Sequence, residues 1–206
     1  MELRSTYCCD EARFLRDVSE HEMTIIRDDG VSRHIRFRKP DTICMGFDLI
    51  TWPGHLCYTG DMGTYVFQRL NDMFCFFREE PRHGNTGELY INTGYWSEKL
   101  EAVDKRGGVM EYSPDKFRET IKEILDEDED TTDELRQAIE DEVLCYADDG
   151  GQEAYDAANS FQFDGKQYFT DFWEYDITAY TFRFVWCCYA LSWAIRKYDQ
   201  EKASQI

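Results

Sequence analysis

The stretch MTIIRDDGVSRHIRF, residues 23–37, decides how the first half of this chain folds. Apolar and polar side chains alternate on both sides of residues 28–30, and an Asp-Gly pair between two alternating runs is typical of a β-hairpin. Further short apolar runs, separated by glycine and proline turns, continue to residue 68. We therefore expect an antiparallel meander of about five strands over residues 22–68.

Helical periodicity replaces this alternation in the second half of the chain. It predicts a helix over residues 95–104, a second helix after the Ser-Pro pair at 113–114, and a third that opens at Thr131 with a capping box completed by Glu134. A long last helix is predicted over residues 176–202, and its apolar side chains face most directions. A helix of that kind usually lies at the centre of its domain.

Strands followed by helices indicate an α+β fold. We expect an N-terminal antiparallel sheet of about five strands packed against a C-terminal helical layer, with the long last helix largely buried. The sheet region with its short flanking helices should cover residues 1–93, including a loop at 79–93, and the acidic helical region should cover residues 94–206. A length of 206 residues fits one compact domain.

Composition limits the environment of the protein. Hydrophobic residues make up 42% of the chain and aromatic residues 16%, which suffices for a packed core. The first residues contain no apolar stretch of a signal peptide, and the longest apolar run, residues 184–195, is shorter than a membrane span. The eight cysteines lie mostly in apolar segments and form no CxxC pair, which favours free, buried thiols in a reducing compartment. We therefore expect a soluble, cytoplasmic protein.

Negative charge is concentrated in the middle of the chain. The whole sequence has a net charge of −19, and residues 98–160 carry 21 acidic and seven basic side chains, a net charge of −14. Such a field repels nucleic acid and anionic membranes and attracts basic surfaces. We expect neither nucleic acid nor membrane as a direct partner, and we expect a basic protein surface instead.

The acidic side chains fall mostly within predicted helices, where carboxylates three or four positions apart lie about 5–6 Å from one another. That distance is similar in scale to the spacing of phosphates, so an ordered array can imitate DNA towards a DNA-binding protein. The same run of charge is also typical of a solvated face that keeps a protein soluble. The EF-hand spacing for calcium is absent. The candidate partner-binding residues are Glu127, Asp128, Asp130, Asp133, Glu134, Glu140 and Asp141.

A cluster of the opposite charge lies on the first hairpin, and its members are Arg27, Arg33, His34, Arg36, Arg38 and Lys39. In a strand, His34, Arg36 and Arg38 share one face. Such a cluster can bind phosphate, which would make the protein a modifier of nucleic-acid processing. Because the overall charge opposes nucleic-acid binding, we favour pairing with the protein's own acidic helices or simple solvation.

The turns around the third and fourth predicted strands hold a second set of candidates. Asp48, His55 and Asp61 are residue types suited to acid–base catalysis or metal binding, and they suggest an enzyme or small-ligand site as the alternative function. Their spacing fits no hydrolase or metal motif, and the chain has no GxSxG, P-loop or GxGxxG sequence. We expect no cofactor and no metal, and we favour a protein without enzymatic activity.

Three stretches of the sequence are distinctive: FDLITWPGHL at residues 47–56, GDMGTY at 60–65 and DMFCFFR at 72–78. They resemble an uncharacterised protein family of bacteriophages, prophages and mobile elements. The resemblance transfers no catalytic or binding residue. It implies an accessory protein in a bacterial host cell, and acidic accessory proteins of this kind often obstruct the nucleic-acid-binding sites of restriction or CRISPR complexes.

The leading hypothesis is therefore an anti-defence protein of anti-CRISPR or anti-restriction type. Its acidic, DNA-mimicking surface would bind and inhibit a basic, nucleic-acid-binding host protein or complex. The patterns in the sequence predict no particular oligomeric state.

Overall fold

The computed structural model describes residues 9–78, 88–105 and 108–205. The chain divides into two compact units, which we call the sheet unit (Met1–Val109 with Tyr180–Ile206) and the acidic unit (Met110–Ala179). An antiparallel N-terminal sheet and a helical C-terminal region with a long last helix are present, so the predicted α+β class is confirmed. The division differs from the predicted boundary at residues 93/94, because the last helix belongs with the sheet and not with the acidic helices.

The sheet unit contains a six-stranded antiparallel sheet whose strands follow one another in chain order. The first five strands are the predicted meander, and buried residues alternate with half-buried ones along the inner strands, which places one face of the sheet in the core. The strands are β1 (Glu22–Asp29), β2 (Ser32–Arg38), β3 (Phe47–Trp52), β4 (His55–Gly60), β5 (Gly63–Gln68) and β6 (Leu100–Val103).

The sixth strand corrects the helix predicted over residues 95–104. Helix α3 (Thr93–Ser97) has one turn, which Asn92 caps. Strand β6 then pairs with β5, with Leu100 opposite Phe67. The open edge of β5 offers backbone hydrogen bonds to this segment, and pairing along that edge outweighs the local helical preference.

Two short helices flank the meander, α1 (Glu11–Asp17) and α2 (Met73–Phe77). The side chain of Asp10 accepts a hydrogen bond from the backbone of Arg13 and caps α1. Asp72 caps α2 by accepting a hydrogen bond from the Phe74 amide. Of the predicted loop at 79–93, residues 79–87 lie outside the described residues.

The long last helix, α7 (Phe182–Ser204), begins six residues later than predicted. The preceding segment is extended as β10 (Thr178–Tyr180), and the side chain of Thr181 caps α7 by accepting a hydrogen bond from the Phe184 amide. Its buried residues all lie between Phe184 and Tyr198, where the apolar surface predicted burial, and its end at residues 200–204 is exposed. Its Trp186 packs edge-on against Phe14 of α1 and Phe47 of β3, with ring centroids 5.0 and 5.7 Å apart.

The acidic unit is mostly helical and has a hydrophobic core of its own. The unit contains β7 (Met110–Tyr112), α4 (Pro114–Glu127), α5 (Asp133–Glu142), α6 (Gly151–Ser160), and the two-residue strands β8 (Gln162–Phe163) and β9 (Lys166–Gln167). Buried side chains from these helices and from the segment after β9 form the core: Phe117, Ile121, Leu125, Leu135, Ile139, Val143, Ala147, Ala154, Ala158, Phe161, Phe169 and Phe172.

Helix starts in the acidic unit follow the predicted capping chemistry with one shift. Ser113 caps α4 and Pro114 occupies its first turn, as predicted. Thr132, and not Thr131, caps α5 by accepting a hydrogen bond from the Leu135 amide. The Thr131 hydroxyl instead donates to the Leu125 carbonyl, 2.9 Å away, so it holds the end of α4.

The cysteines for which the structure gives a state are all free, but not all are buried. Cys9, Cys187 and Cys188 lie in the core, as expected. Cys44, Cys75 and Cys145 are exposed, so the expectation of buried thiols is wrong for these three. Cys8 lies outside the described residues.

Gly60 at the end of β4 allows the closest backbone approach in the sheet, and this gives a test of the fold. A methyl group there would lie 2.3 Å from the Gly46 carbonyl oxygen and 2.7 Å from the Phe47 Cα, both of them backbone atoms. We expect Gly60→Ala to lower the free energy of unfolding by about 2 kcal/mol or more, because the backbone must shift. Urea titration measures this change.

Gly94→Ala is the matched control for this substitution. The nearest atom outside its own helix, the Tyr180 hydroxyl oxygen, is 3.8 Å away, which is ordinary contact. We expect this variant to be as stable as the unmodified protein or slightly more stable, because alanine is favoured over glycine in a helix. Equal stability of the two variants would contradict the described packing of β3 on β4.

Candidate functional site

The acidic unit carries nearly all of the net charge of the protein. Its 70 residues contain 22 acidic and five basic side chains, a net charge of −17. The other 136 residues contain 20 acidic and 18 basic side chains, a net charge of −2. The predicted concentration of charge therefore coincides with a separately packed unit, and its field is not diluted by basic residues of the same unit.

Helix α5 holds four of the seven predicted partner-binding residues on one side. Leu135 and Ile139 point into the core, and the four carboxylates lie on the opposite, exposed side in two pairs separated by two helical turns. They extend over ~12 Å of helix axis, a linear charge density similar to the one charge per about 3.4 Å of a DNA strand. The four are Asp133, Glu134, Glu140 and Asp141.

The other three predicted residues lie where α4 ends and α5 begins. Glu127 is the last residue of α4, and Asp130 lies in the connecting loop; both are exposed. Asp128 is different, because its carboxylate accepts hydrogen bonds from the Tyr168 hydroxyl at 2.7 Å and from the Asp130 amide at 3.0 Å. The hydrogen bond from Tyr168 is the main reason that the pKa of Asp128 lies below its usual value. Asp128 therefore holds the loop in place.

Internal ion pairs neutralise few carboxylates of the acidic unit. Within Met110–Ala179, a basic side chain lies within ion-pair distance of Asp115, Asp126, Asp148 and Asp176. The four carboxylates on the outer side of α5 have no such partner in the described part of the chain. Their charge is therefore directed to solvent or to another molecule.

The basic cluster on the first hairpin is paired, but its partners differ from those predicted. Arg33 is only 8% exposed and forms two hydrogen bonds to Asp72, at 2.8 and 3.0 Å. Arg36 and His34 both bind the carboxylate of Asp48. These partners belong to the sheet unit and not to the acidic helices, so self-pairing occurs within one unit.

The outer members of the basic cluster make weaker contacts. Arg27 pairs with Asp29 at 3.1 Å, and Lys39 pairs with Glu20 at 2.7 Å; all four side chains are largely exposed. Exposed pairs of this kind contribute little to stability. With its central residues paired and its outer residues solvated, the hairpin offers little unpaired positive charge to a nucleic-acid backbone.

Asp48, His55 and Asp61, the alternative candidates, do not converge. Asp48 and Asp61 line one cleft of about 400 Å³ at the end of β3 and β4. Asp48 lies opposite Thr59 on β4, whereas His55 lies four residues further along that strand, ~13 Å away. His55 stacks on Trp52 with ring centroids 5.0 Å apart. The cleft therefore holds two of the three residues, and Asp48 is already bound to Arg36 and His34.

Among the described residues of the sheet, no thiol lies directly beside the His34–Asp48 contact. Their hydrogen bond is 2.7 Å long, which suits an acid–base pair. In the sheet, however, Ile50 lies between His34 and the nearest thiol on that row, Cys57. Burial raises the pKa of the Cys57 thiol, which disfavours the nucleophilic thiolate. Arg36 binds the same carboxylate, so the contact is part of a paired cluster within the sheet.

Residues 9–78, 88–105 and 108–205 contain neither a metal-binding group of side chains nor a membrane-spanning helix. No group of three or more histidine, cysteine, aspartate or glutamate side chains is arranged to hold a metal ion. No helix in this part of the chain combines the length and the apolar character needed to cross a membrane.

Pattern analysis did not single out Trp173, whose side chain is 65% exposed in the acidic unit. The signal was present in the sequence, since the run DFWEYD at residues 171–176 alternates acidic and aromatic residues. Exposed tryptophan is unusual on a surface that contacts only water and is typical of binding surfaces.

Comparisons of the chain with protein-family models, with curated proteins and with solved structures found no significant match. The surface of the acidic unit therefore provides the structural evidence for a function.

The carboxylate of Asp48 gives a prediction about stability and pH. Burial opposes its ionisation, but the hydrogen bonds from Arg36 and His34 outweigh burial and hold the pKa of Asp48 below its ordinary value of 3.8. A lowered pKa in the folded state stabilises the protein above the ordinary pKa, and this stabilisation is lost as the pH falls through the folded value. We expect Asp48→Asn to lower the free energy of unfolding by about 1 kcal/mol near neutral pH.

The difference between Asp48→Asn and the unmodified protein should shrink as the pH falls below 3.8 and through the lowered pKa of the folded state, because the unmodified carboxyl then becomes protonated as well. Urea titrations near neutral pH and in acid measure it. Asp29→Asn is the control, since Asp29 is 77% exposed in its pair with Arg27 and should show little effect at either pH. A difference for Asp48→Asn that is unchanged in acid would contradict the proposed ion pair.

Proposed function

We propose that this protein binds a basic, nucleic-acid-binding host protein or complex through its acidic unit and thereby excludes the nucleic acid. The observation that carries the proposal is the net charge of −17 on Met110–Ala179, together with the unpaired carboxylates on the outer side of α5. A groove that binds DNA presents lysine and arginine to a regular line of phosphates. An ordered helix with a similar linear density of carboxylates is complementary to such a groove.

Order in the backbone distinguishes this proposal from simple solubilisation. Asp133 and Glu134 lie in the first turn of α5, and Glu140 and Asp141 lie two turns further along the same helix. The helix is attached to the core by Leu135 and Ile139, which are 3% and 0% exposed. The four charges therefore keep fixed spacings, and a partner loses little conformational freedom of this protein when it binds.

The resemblance to bacteriophage and mobile-element proteins gives the class of partner. We infer an accessory protein that acts in the cytoplasm of a bacterial host as an inhibitor of a defence system, of anti-restriction or anti-CRISPR type. Complexes of both types carry cationic channels for nucleic acid, which an acidic surface can occupy. No catalysis is needed for this action.

Charge reversal on α5 tests the proposal. We expect the protein to retain DNA-binding proteins from a bacterial lysate at low salt, and we expect excess duplex DNA or high salt to release them. Changing Asp133, Glu134, Glu140 and Asp141 to lysine should abolish this retention, because the electrostatic attraction becomes repulsion. Mass spectrometry identifies the retained proteins, and circular dichroism verifies that the variant is folded.

A matched control reverses four exposed carboxylates of the sheet unit and produces the same change in net charge. Glu22, Glu88, Glu101 and Glu201 are suitable because their side chains are exposed. This control should retain the same proteins as the unmodified chain. If both variants lose retention equally, net charge alone acts and the α5 surface is not the site. If neither loses it, the acidic unit is not involved.

A further inference from the structure

The side chain of Trp173 is largely exposed in the acidic unit. It lies in a 3-10 turn, Phe172–Glu174, in the acidic unit. Its side chain is 65% exposed, and among the described large apolar side chains only Ile43, at 82%, is more exposed. Transfer of an indole from water into an apolar site is strongly favourable. An exposed indole therefore contributes favourable free energy when another molecule binds over it.

The turn that carries Trp173 is rigid. Its neighbour Phe172 is fully buried, and its ring contacts those of Phe117, Phe169 and Tyr155 at centroid distances of 5.7, 5.7 and 5.9 Å. Successive residues of a 3-10 helix point about 120° apart, so a buried Phe172 directs Trp173 outwards. Binding therefore needs little ordering of the chain at this position.

A carboxylate lies at the edge of the exposed ring, and two more follow in the same short segment. The indole Nε1 donates a hydrogen bond to Asp171 Oδ1 at 3.3 Å, which places this carboxylate at the edge of the ring. The second oxygen, Asp171 Oδ2, accepts no hydrogen bond from the described residues, and Glu174 and Asp176 are exposed on the same short segment. Lys116 lies 3.6 Å from Asp176 but pairs with neither Asp171 nor Glu174. An aromatic face with an available carboxylate oxygen at its edge, Asp171 Oδ2, is complementary to a planar cation.

We propose that Trp173 binds an arginine side chain of the basic partner, with the guanidinium stacked on the indole and hydrogen-bonded to Asp171. The inference rests on the function proposed above and adds which side chain of the partner is recognised. Tryptophan is the strongest aromatic partner for a cation, and the flat, weakly hydrated guanidinium both stacks and donates in its own plane. The ammonium of lysine is compact and strongly hydrated, so it gains less here.

Two synthetic peptides separate this inference from attraction by charge alone. One alternates arginine with glycine, and the other alternates lysine with glycine at the same length and net charge. Each carries a fluorescent label and is titrated with the full chain at low salt, and anisotropy gives the dissociation constant. We expect the arginine peptide to bind about tenfold more tightly than the lysine peptide.

Substitutions at Trp173 should remove this preference without removing binding. Trp173→Leu keeps an apolar side chain but has no aromatic face, and Trp173→Ala removes the side chain; both should bind the two peptides with nearly equal affinity. Trp52→Ala is the control, because Trp52 is 40% exposed in the sheet unit, and it should keep the preference. Since Trp173 is exposed, both Trp173 variants should fold normally, which circular dichroism verifies.

The outcomes distinguish the two proposals. Equal affinity of the unmodified protein for the two peptides, or an arginine preference that survives in both Trp173 variants, overturns the role of Trp173 and leaves the acidic-unit proposal standing. Failure of both peptides to bind at low salt overturns both proposals. Loss of the preference in both Trp173 variants with retention in Trp52→Ala supports the inference.

Discussion

A helix of 23 residues that is apolar on nearly every side must be covered on nearly every side, and this requirement of α7 organises the sheet unit. The inner face of the sheet covers one side of it, and α1 and α2 also contact it. Two aromatic side chains of α7, Phe184 and Trp186, lie deep in the core, and its small side chains allow neighbouring backbones to approach. The buried residues of α7 are Phe184, Trp186, Cys187, Cys188, Ala190, Leu191, Ser192, Ala194, Ile195 and Tyr198.

Burial of α7 determines which polar and charged side chains of the sheet unit form hydrogen bonds with one another. Polar groups at the rim of the core need partners, because an unpaired buried polar group costs about 1–3 kcal/mol. The indole of Trp186 donates to Asp17, the Tyr198 hydroxyl donates to Asp28, and Arg33 stacks over Phe74 while it binds Asp72. The acids and bases of this unit therefore pair with one another and leave a net charge of only −2.

The acidic unit shows the opposite behaviour, and this contrast supports the function proposed for its surface. Its core of phenylalanine, isoleucine and alanine side chains needs no buried ion pairs, and its carboxylates lie outside with few basic neighbours. Self-repulsion among these charges lowers the stability of the unit. In the proposed complex, a cationic groove relieves that repulsion. The same charges therefore destabilise the free protein and stabilise the complex. Trp173 adds an apolar anchor to this attraction.

Local chemistry in the sequence predicts much of the fold. Alternation around Gly30 predicts the hairpin, and the Ser113-Pro114 pair predicts the start of α4, because these signals act between neighbouring residues. Strand β6 and the late start of α7 could not be predicted in this way. Both depend on an extended segment that finds a partner strand distant in the chain, β5 for β6 and β7 for β10.

The candidate site could also be predicted where the signal acts between neighbouring residues, and not where it depends on residues distant in the chain. The periodicity of Leu135 and Ile139 indicates which side of α5 faces the core, and the four carboxylates opposite them follow from it. The role of Asp128 could not be predicted, because its partner Tyr168 is 40 residues away in sequence. The convergence of Asp48 with His34 and Arg36, instead of with His55, likewise depends on the register of β2 against β3.

Hydrogen exchange of the whole chain, free and bound to a DNA-binding protein that it retains, tests the central claim most directly. The claim is that the acidic unit forms the contact surface. It predicts that binding slows amide exchange in α5 and in the turn at Phe172–Glu174, and leaves exchange in the six-stranded sheet unchanged. Slowed exchange confined to the sheet strands, with α5 exchanging as in the free protein, would contradict it.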